Sequence, residues 1–340
     1  MTQKARSARP ANIFDVARLA GVSHQTVSRV LNESPSVRDT TRRRVQEAIE
    51  QLRYRPNLAA RAMVNRRSRN LGLIATGSAD YGPTSTVLGF MEAARDARFS
   101  VTMTTALDSA PASIRFCVDL LLGQHVEAIV LVAPRTGVLD GVHGVDVDIP
   151  IVVVESSART SLPSVSIDQY AGARLATQHL IDLGHRNIIH LAGPGDSMDA
   201  TERVRGWRDI MAEHGLVARP PLEGDWSPRS GYQNGGFVLD QGQPFSAIFC
   251  SNDQMALGFL HALRDRSLRV PENISMIGFD DIPEAEHFDP PLTTMRQDFH
   301  ELGQDIMIAV QAALDRSEAT RTIRHLPTLV FRQSTRQFES

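Results

Sequence analysis

The sequence predicts an all-α helix-turn-helix headpiece followed by an α/β core of two doubly wound parallel-sheet lobes. Three observations carry that expectation. Residues 12–53 hold apolar positions at helical spacing, broken by one glycine turn. From Leu71 onward, apolar strand-like runs alternate with helical segments. That alternating region runs for roughly 270 residues, more than one compact domain holds, so two similar lobes joined by several chain crossings are expected.

The first two helices are expected within residues 12–32. Val16, Leu19, Ala20, Val22, Val27, Val30 and Leu31 can close a small core. Gly21 permits the turn between the helices, and Ser23 suits the N-cap of the second. His24, Gln25, Thr26, Ser28, Arg29 and Asn32 are left facing outward. A helix that displays such groups near its N-terminus can enter a DNA major groove and bond base edges and phosphates. The plain alternative is a helical hairpin with a solvated face.

A third amphipathic helix is expected over residues 38–53, with Val45, Ala48, Ile49 and Leu52 buried and Asp39 or Thr40 as its cap. Pro56 disfavours helix at the residue before it, so the segment from Tyr54 to Asn57 ends this unit. Residues 57–66 can form one short helix, marginal in water without a partner, which suits a linker that orders conditionally.

Beyond it, strands are expected at residues 71–76, 100–105, 128–133, 151–155, 187–192, 247–251 and 274–279. Helices are expected at about 84–98, 110–124, 169–183, 198–214, 228–241, 253–266 and 298–317. Ligands of such folds bind beyond the carboxyl ends of strands, and between lobes where there are two.

Charge divides the chain the same way. Residues 1–70 carry 15 Lys and Arg against 5 Asp and Glu, a net of +10, whereas the remainder carries 21 against 34, a net of −13. A basic small unit ahead of an acidic large one points to a polyanionic partner for the first only. Arg makes up 35 of the 36 basic residues along the whole chain, so the bias toward Arg is compositional. Cys117 and Cys250 lie far apart in apolar surroundings and read as buried thiols. No apolar run approaches ~18 residues and no signal peptide is evident, so no membrane span and a cytoplasmic location are expected.

Several ordered stretches together resemble the LacI/GalR family of bacterial transcription regulators. They include Asp15-Val-Ala-Arg-Leu-Ala-Gly-Val-Ser23, Gln25-Thr-Val-Ser-Arg-Val30, Tyr54-Arg-Pro-Asn57 and Glu223-Gly-Asp-Trp-Ser227. The match continues through Ser251-Asn-Asp-Gln-Met-Ala-Leu-Gly258, Gly278-Phe-Asp-Asp281, Pro291-Leu-Thr-Thr294, Gln297-Asp-Phe299 and Phe331-Arg-Gln-Ser-Thr335. The resemblance implies a headpiece over 1–56, a hinge helix over 57–68 and a core over 69–340 resembling periplasmic sugar-binding proteins. Its N-lobe would hold about 69–167 and 298–326, and its C-lobe 168–297 and 327–340.

By the same resemblance, His24, Gln25 and Arg29 look like base readers. Gln can pair with adenine and Arg with guanine, each good bidentate contact being worth ~1–3 kcal/mol of discrimination. Ser23, Thr26, Ser28, Asn32 and Thr41 fit phosphate contacts, which set register. In the hinge, Asn57, Ala60 and Met63 fall at DNA-contacting positions. Met63 stands where the family usually has Leu, as an apolar wedge in the minor groove.

In the core, Arg203, Trp226, Asn252 and Asp280 match sugar-contacting positions, with Gln297 and Phe299 at a lobe crossing. Planar amide, carboxylate and guanidinium groups suit vicinal hydroxyls, and an aromatic face suits the C–H side of a sugar. Asp80, Pro83, Glu155 and Asp199 join this set. His24, Glu155 and Asp199 depart from the matched pattern, which has Tyr, Asp and Ser there, and Asp80 replaces an apolar residue. A galactoside is one candidate ligand, and the added carboxylates point to a more polar ligand or one with different hydroxyl placement. Read alone, Asn252 and Asp253 would cap a helix, and Asp280 with Asp281 would form a turn.

The resemblance thus implies a homodimeric, sugar-responsive repressor on a near-palindromic double-stranded DNA operator, released by a small sugar inducer. No heptad follows the last matched stretch, so a dimer rather than a tetramer is expected. Neither a cofactor nor a metal is expected. Two other classes stay in view. An exported sugar-binding transport component shares the core but not the basic headpiece. A carbohydrate-processing enzyme would use Asp280, Asp281 or Glu155 as paired carboxylates.

Overall fold

The structure, a computed structural model, describes all residues except 1–10, 32–33, 55–67, 78, 134, 143–146, 157–161, 318–321 and 339–340. The chain divides into two compact units, Met1–Ser68 and Arg69–Ser340. Asn32, Asn57, Ala60, Met63 and the expected hinge helix lie outside the described residues.

In the first unit, α1 spans Ile13–Ala20, α2 His24–Leu31 and α3 Asp39–Gln51. Asn12 opens α1 through a capping box. Its Oδ1 accepts from the N–H groups of Phe14 and Asp15 at 2.9 and 3.1 Å, and the Asp15 carboxylate accepts from Asn12 N–H at 3.0 Å. Gly21 follows with φ +63°, the left-handed conformation that glycine adopts without a Cβ clash. Ser23 Oγ then accepts from Thr26 N–H at 3.1 Å and caps α2.

Val16, Ala17, Ala20, Val27, Val30, Val37, Val45 and Ala48 form the buried cluster, with Val22, Leu31, Ile49 and Leu52 packed at its edge. Leu19 is 46% exposed, contrary to the expectation that placed it in this core. The buried stripe of α1 runs through positions 13, 16, 17 and 20, and Leu19 points away from it. The expected cap of α3 also moves. Asp39 is the first helical residue, Arg38 occupies the cap, and no side chain bonds there.

The second unit contains two six-stranded sheets. In the first lobe, the strands are β1 (Asn70–Thr76), β2 (Ser100–Ala106), β3 (Ala128–Val132), β4 (Ile151–Val154), β5 (Ser164–Ile167) and β11 (Ile323–His325), ordered β11-β5-β4-β3-β1-β2 and all parallel. In the second lobe, they are β6 (Ile188–Ala192), β7 (Leu222–Glu223), β8 (Ala247–Cys250), β9 (Ser275–Asp280), β10 (Thr293–Arg296) and β12 (Thr328–Val330), ordered β12-β10-β9-β8-β6-β7. Only β12 runs antiparallel to its neighbour.

Helices cover both faces of each sheet. The first lobe carries α4 (Tyr81–Asp96) and α10 (Phe299–Leu314) on one face and α5 (Pro111–Leu122) on the other. Period-two alternation sorts β1 between these layers: Leu71, Leu73 and Ala75 meet α4 and α10, whereas Ile74 meets α5. The second lobe is sandwiched likewise by α6 (Gln169–Asp182) and α7 (Met198–Glu213) on one face and α8 (Pro228–Asp240) and α9 (Asp253–Asp265) on the other. Because both faces are covered, central strands such as β3, Ala-Ile-Val-Leu-Val, are apolar throughout.

The chain crosses between lobes three times: after β5, after β10, and between β11 and β12. All seven expected core helices and seven of the strands are present within a few residues of their expected bounds. The short strands β5, β7, β10, β11 and β12 were not anticipated. At two to four residues each, they are held by pairing with a neighbour rather than by any local pattern. Cys117 and Cys250 are buried free thiols. Among the described residues, no helix is long and apolar enough to cross a membrane.

Candidate ligand cleft and DNA-reading face

In the first unit, Ser23, His24, Gln25 and Arg29 are exposed, and Thr26, Ser28 and Thr41 are partly so. The Ser23 and Thr26 hydroxyls lie 2.9 Å apart, so part of their hydrogen-bonding capacity is already committed to the cap. The His24 ring packs against Phe14 at 5.1 Å between centroids. Phe14 is 59% exposed and was not singled out from the sequence; it braces the ring at the head of α2.

In the core, the ten residues expected to face a ligand line two adjoining cavities beyond the carboxyl ends of the strands. Asp80, Arg203, Trp226, Asn252 and Asp280 line the first, and Glu155, Gln297 and Phe299 the second. Pro83 and Asp199 belong to both.

Four buried side chains form a closed polar ring in the wall of these cavities. Arg203 Nε donates to Gln169 Oε1 at 2.9 Å, and Gln169 Nε2 donates to Gln297 Oε1 at 2.9 Å. Gln297 Nε2 donates to Asp280 Oδ1 at 2.6 Å, and Arg203 Nη2 stands 3.7 Å from that same oxygen. None of the four is more than 6% exposed. Such a network holds each member in one rotamer, because breaking any link leaves a buried polar atom without a partner. Gln169 opens α6 just after the first lobe crossing, and Gln297 sits at the second, so the ring ties both crossings to the cleft. Gln169 was not foreseen; in sequence it is an unremarkable glutamine after a helix-capping Asp168.

Arg203 is also fixed from its other sides. Its guanidinium lies 3.8 Å from the Phe279 ring centroid and 5.6 Å from that of Trp226, and Nη1 donates to the Ser251 carbonyl. Behind it, His190 is stacked between Trp207 and Phe249 at 5.2 and 4.5 Å. Its Nδ1 donates to the Phe249 carbonyl at 2.9 Å, leaving Nε2 to accept from Ser251 Oγ at 3.3 Å. Burial pushes His190 down to about 3, so it is a neutral strut that holds the end of β8.

Asp280 has φ +112°, and burial pushes its carboxyl up to about 7 despite the Arg203 charge beside it; Asp199 and Asp80 add to the rise. Burial raises the phenol of Tyr81 too, which lines the first cavity and packs edge-on to Phe299 at 5.8 Å. Asp281, by contrast, does not line either cavity. Its carboxylate is held by Arg296 Nε at 2.6 Å and Arg332 Nη2 at 2.7 Å, so it is no member of a catalytic pair.

Asn252 takes both of its possible roles. Oδ1 caps α9 by accepting from Met255 N–H at 2.8 Å, and Nδ2 donates to the Trp226 carbonyl at 3.0 Å. That second bond holds Trp226 at φ +71°, a strained conformation for a bulky residue. The indole lies directly over Gly193, where an added Cβ would fall 2.2 Å from two ring carbons. Gly193→Ala is therefore expected to push the indole off its seat and shift Trp226 emission while leaving the circular dichroism of the fold in place. Identical emission spectra would contradict this packing.

Comparisons with known proteins agree with this geometry. Residues 12–57 match the family described as bacterial regulatory proteins, lacI family, and residues 177–335 match a periplasmic binding protein-like domain. The lactose operon repressor of Escherichia coli (strain K12) is 32% identical over 332 residues, covering 96% of this chain and 91% of the relative. Catabolite control protein A of Priestia megaterium is 31% identical, covering 95% and 99%. Among solved structures, the Lac repressor dimer bound to operator and the anti-inducer ONPF superposes with a TM-score of 0.88 at 32% identity, covering 96% and 100%. The complex of the transcriptional regulator CelR with cellobiose superposes at 0.68 and 30% identity, covering 95% and 99%. Likeness at this level runs from the first helix to the last strand, and this chain belongs to the lacI family of bacterial regulatory proteins.

Proposed function

We propose that this protein is a sugar-responsive transcriptional repressor that acts in the cytoplasm as a homodimer on a near-palindromic operator. The observation that carries the reading is the cleft, whose two adjoining cavities gather guanidinium, carboxylate, amide and indole groups. Residues 1–56 would read DNA, 57–68 would form the hinge, and 69–340 would bind ligand and dimerise. His24, Gln25 and Arg29 would contact bases, and Ser23, Thr26, Ser28 and Thr41 the phosphates. Asn32, Asn57, Ala60 and Met63 complete the proposed DNA set.

The Lac repressor and CelR structures, bound to ONPF and to cellobiose, supply the first ligands to try. The test is fluorescence anisotropy with DNA from upstream of the protein's own gene, with and without a panel of mono- and disaccharides. Arg29→Ala is expected to weaken specific binding by about 1–3 kcal/mol, roughly five- to 150-fold, while binding to unrelated DNA changes far less. At least one saccharide is expected to shift operator affinity, and the operator must then shift affinity for that saccharide by the same factor. Absence of sequence-specific DNA binding, or indifference to every saccharide, would count against the proposal.

A further inference from the structure

The second cavity of the cleft is walled without a cation. Among the described residues that line it, none is Arg, Lys or His, and Glu155 and Asp199 are acidic. Glu155 directly follows β4 and is almost fully buried. Asp199, in the first turn of α7, accepts from Ser156 Oγ at 2.5 Å through Oδ1. Its other oxygen makes no hydrogen bond among the described residues. In the adjoining cavity the arginines are already matched by carboxylates. Arg135 pairs with Asp196 at 3.0 Å, and Arg203 stands 3.7 Å from Asp280.

A second observation falls in the same cavity and is independent of its charge. Ser166, in β5, lines it, yet its Oγ is buried and has no hydrogen-bond partner among the described residues. Two residues earlier on the same strand, the Ser164 hydroxyl does find a partner, Thr322 Oγ1 at 3.2 Å. A buried hydroxyl without a partner carries a desolvation cost, which a bound polar group at that place removes.

We propose that this second cavity is a subsite for a protonated amine, with Glu155, Asp199 and Ser166 Oγ as its acceptors, so that the ligand is an amino sugar. The assignment rests on the reading of the cleft as a sugar site. An ammonium has three donors and no acceptor, which suits a pocket offering two carboxylates and a hydroxyl. Hydrogen bonds between ionised partners are also shorter and stronger than those a neutral sugar hydroxyl makes. An acidic or phosphorylated sugar would bring its own negative charge against Glu155 and Asp199, and like charges brought together oppose binding. The upward shift of the Asp280 carboxyl, to which Asp199 and Asp80 contribute, reports the same excess of negative charge, which a bound cation relieves.

Isothermal titration calorimetry of the full-length protein at mildly acidic pH, where the amine is protonated, tests this. The ligands are glucosamine, galactosamine and mannosamine, each beside its parent hexose and its N-acetyl derivative. At least one amino sugar is expected to bind about tenfold or more tightly than both of its counterparts. Asp199→Asn and Glu155→Gln are each expected to narrow that preference about five- to tenfold, with the parent hexose affected less. Ser166→Ala is expected to weaken amino-sugar binding while the ligand-free melting temperature stays level or rises, because an unsatisfied buried hydroxyl is removed. A hydroxyl with a purely structural role would instead lower it.

Failure of every amino sugar to bind, equal or tighter binding of the parent or N-acetyl sugar, or a preference that survives both carboxylate changes would overturn the amine subsite. Binding of a neutral mono- or disaccharide in any of those cases leaves the sugar reading standing, whereas silence across the neutral saccharides as well brings down both.

Discussion

Replacing Arg203 with Leu is expected to destabilise the core by about 3–5 kcal/mol in urea unfolding. The side chain is almost fully buried, and its loss leaves Asp280, Gln169 and the Ser251 carbonyl short of a partner at once. Most of that cost comes from the charge left behind on Asp280, not from the attraction between the two groups. The double variant Arg203→Leu/Asp280→Leu is therefore expected to recover a large part of the loss. Strict additivity of the two single changes would show that the ring does not act as a unit.

Between about pH 4 and pH 7, the wild-type protein is expected to lose more unfolding free energy than Asp280→Asn. Burial raises the Asp280 carboxyl from its ordinary 3.8 to about 7, so in that window the folded state holds a proton that the unfolded state has released. The contribution is fully present below the unfolded value and is lost as pH rises through the folded one. At 1.36 kcal/mol per unit, the difference between wild type and variant reaches at most about 4 kcal/mol. Asp253 is buried and raised in the same direction, in part by the Asp280 charge, so Asp280→Asn also lowers its contribution and the two effects act in the same sense. Urea midpoints at pH 5 and pH 8 decide it, and parallel losses in the two proteins would contradict the buried, proton-binding Asp280. A neutral Asp280 at the lower pH also changes what a ligand meets in the cleft, so ligand affinity is expected to follow the same window.

Much of this architecture was legible because local rules and tertiary packing agree. The helix-turn-helix could be read from Gly21, Ser23 and the spacing of Val16, Val27 and Val30, each of which does locally what the fold needs. The alternation of strand and helix was equally plain, since buried parallel strands are continuous apolar runs. Leu19 misled because on a helix of only eight residues one apolar side chain more or less barely moves the pattern. The short edge strands escaped notice because two to four residues carry no period.

The site divides along similar lines. Side-chain chemistry and matched motifs named the residues around the cleft, but their division of labour arises from contacts across more than 100 positions, as between Gln169 and Gln297. Asp280 and Asp281 are adjacent and identical in kind, yet one closes a polar ring in the cleft and the other is held by Arg296 and Arg332. Likewise, nothing local distinguishes Arg135 from the chain's other arginines; only the approach of the two lobes sets it against Asp196. Residue type and spacing alone set the helices and the longer strands, the basic charge of the first unit and the side chains suited to DNA or a polyol. Only the tertiary structure decided which groups are paired, buried or shifted in protonation, because those depend on distances between parts of the chain that the order of residues does not express.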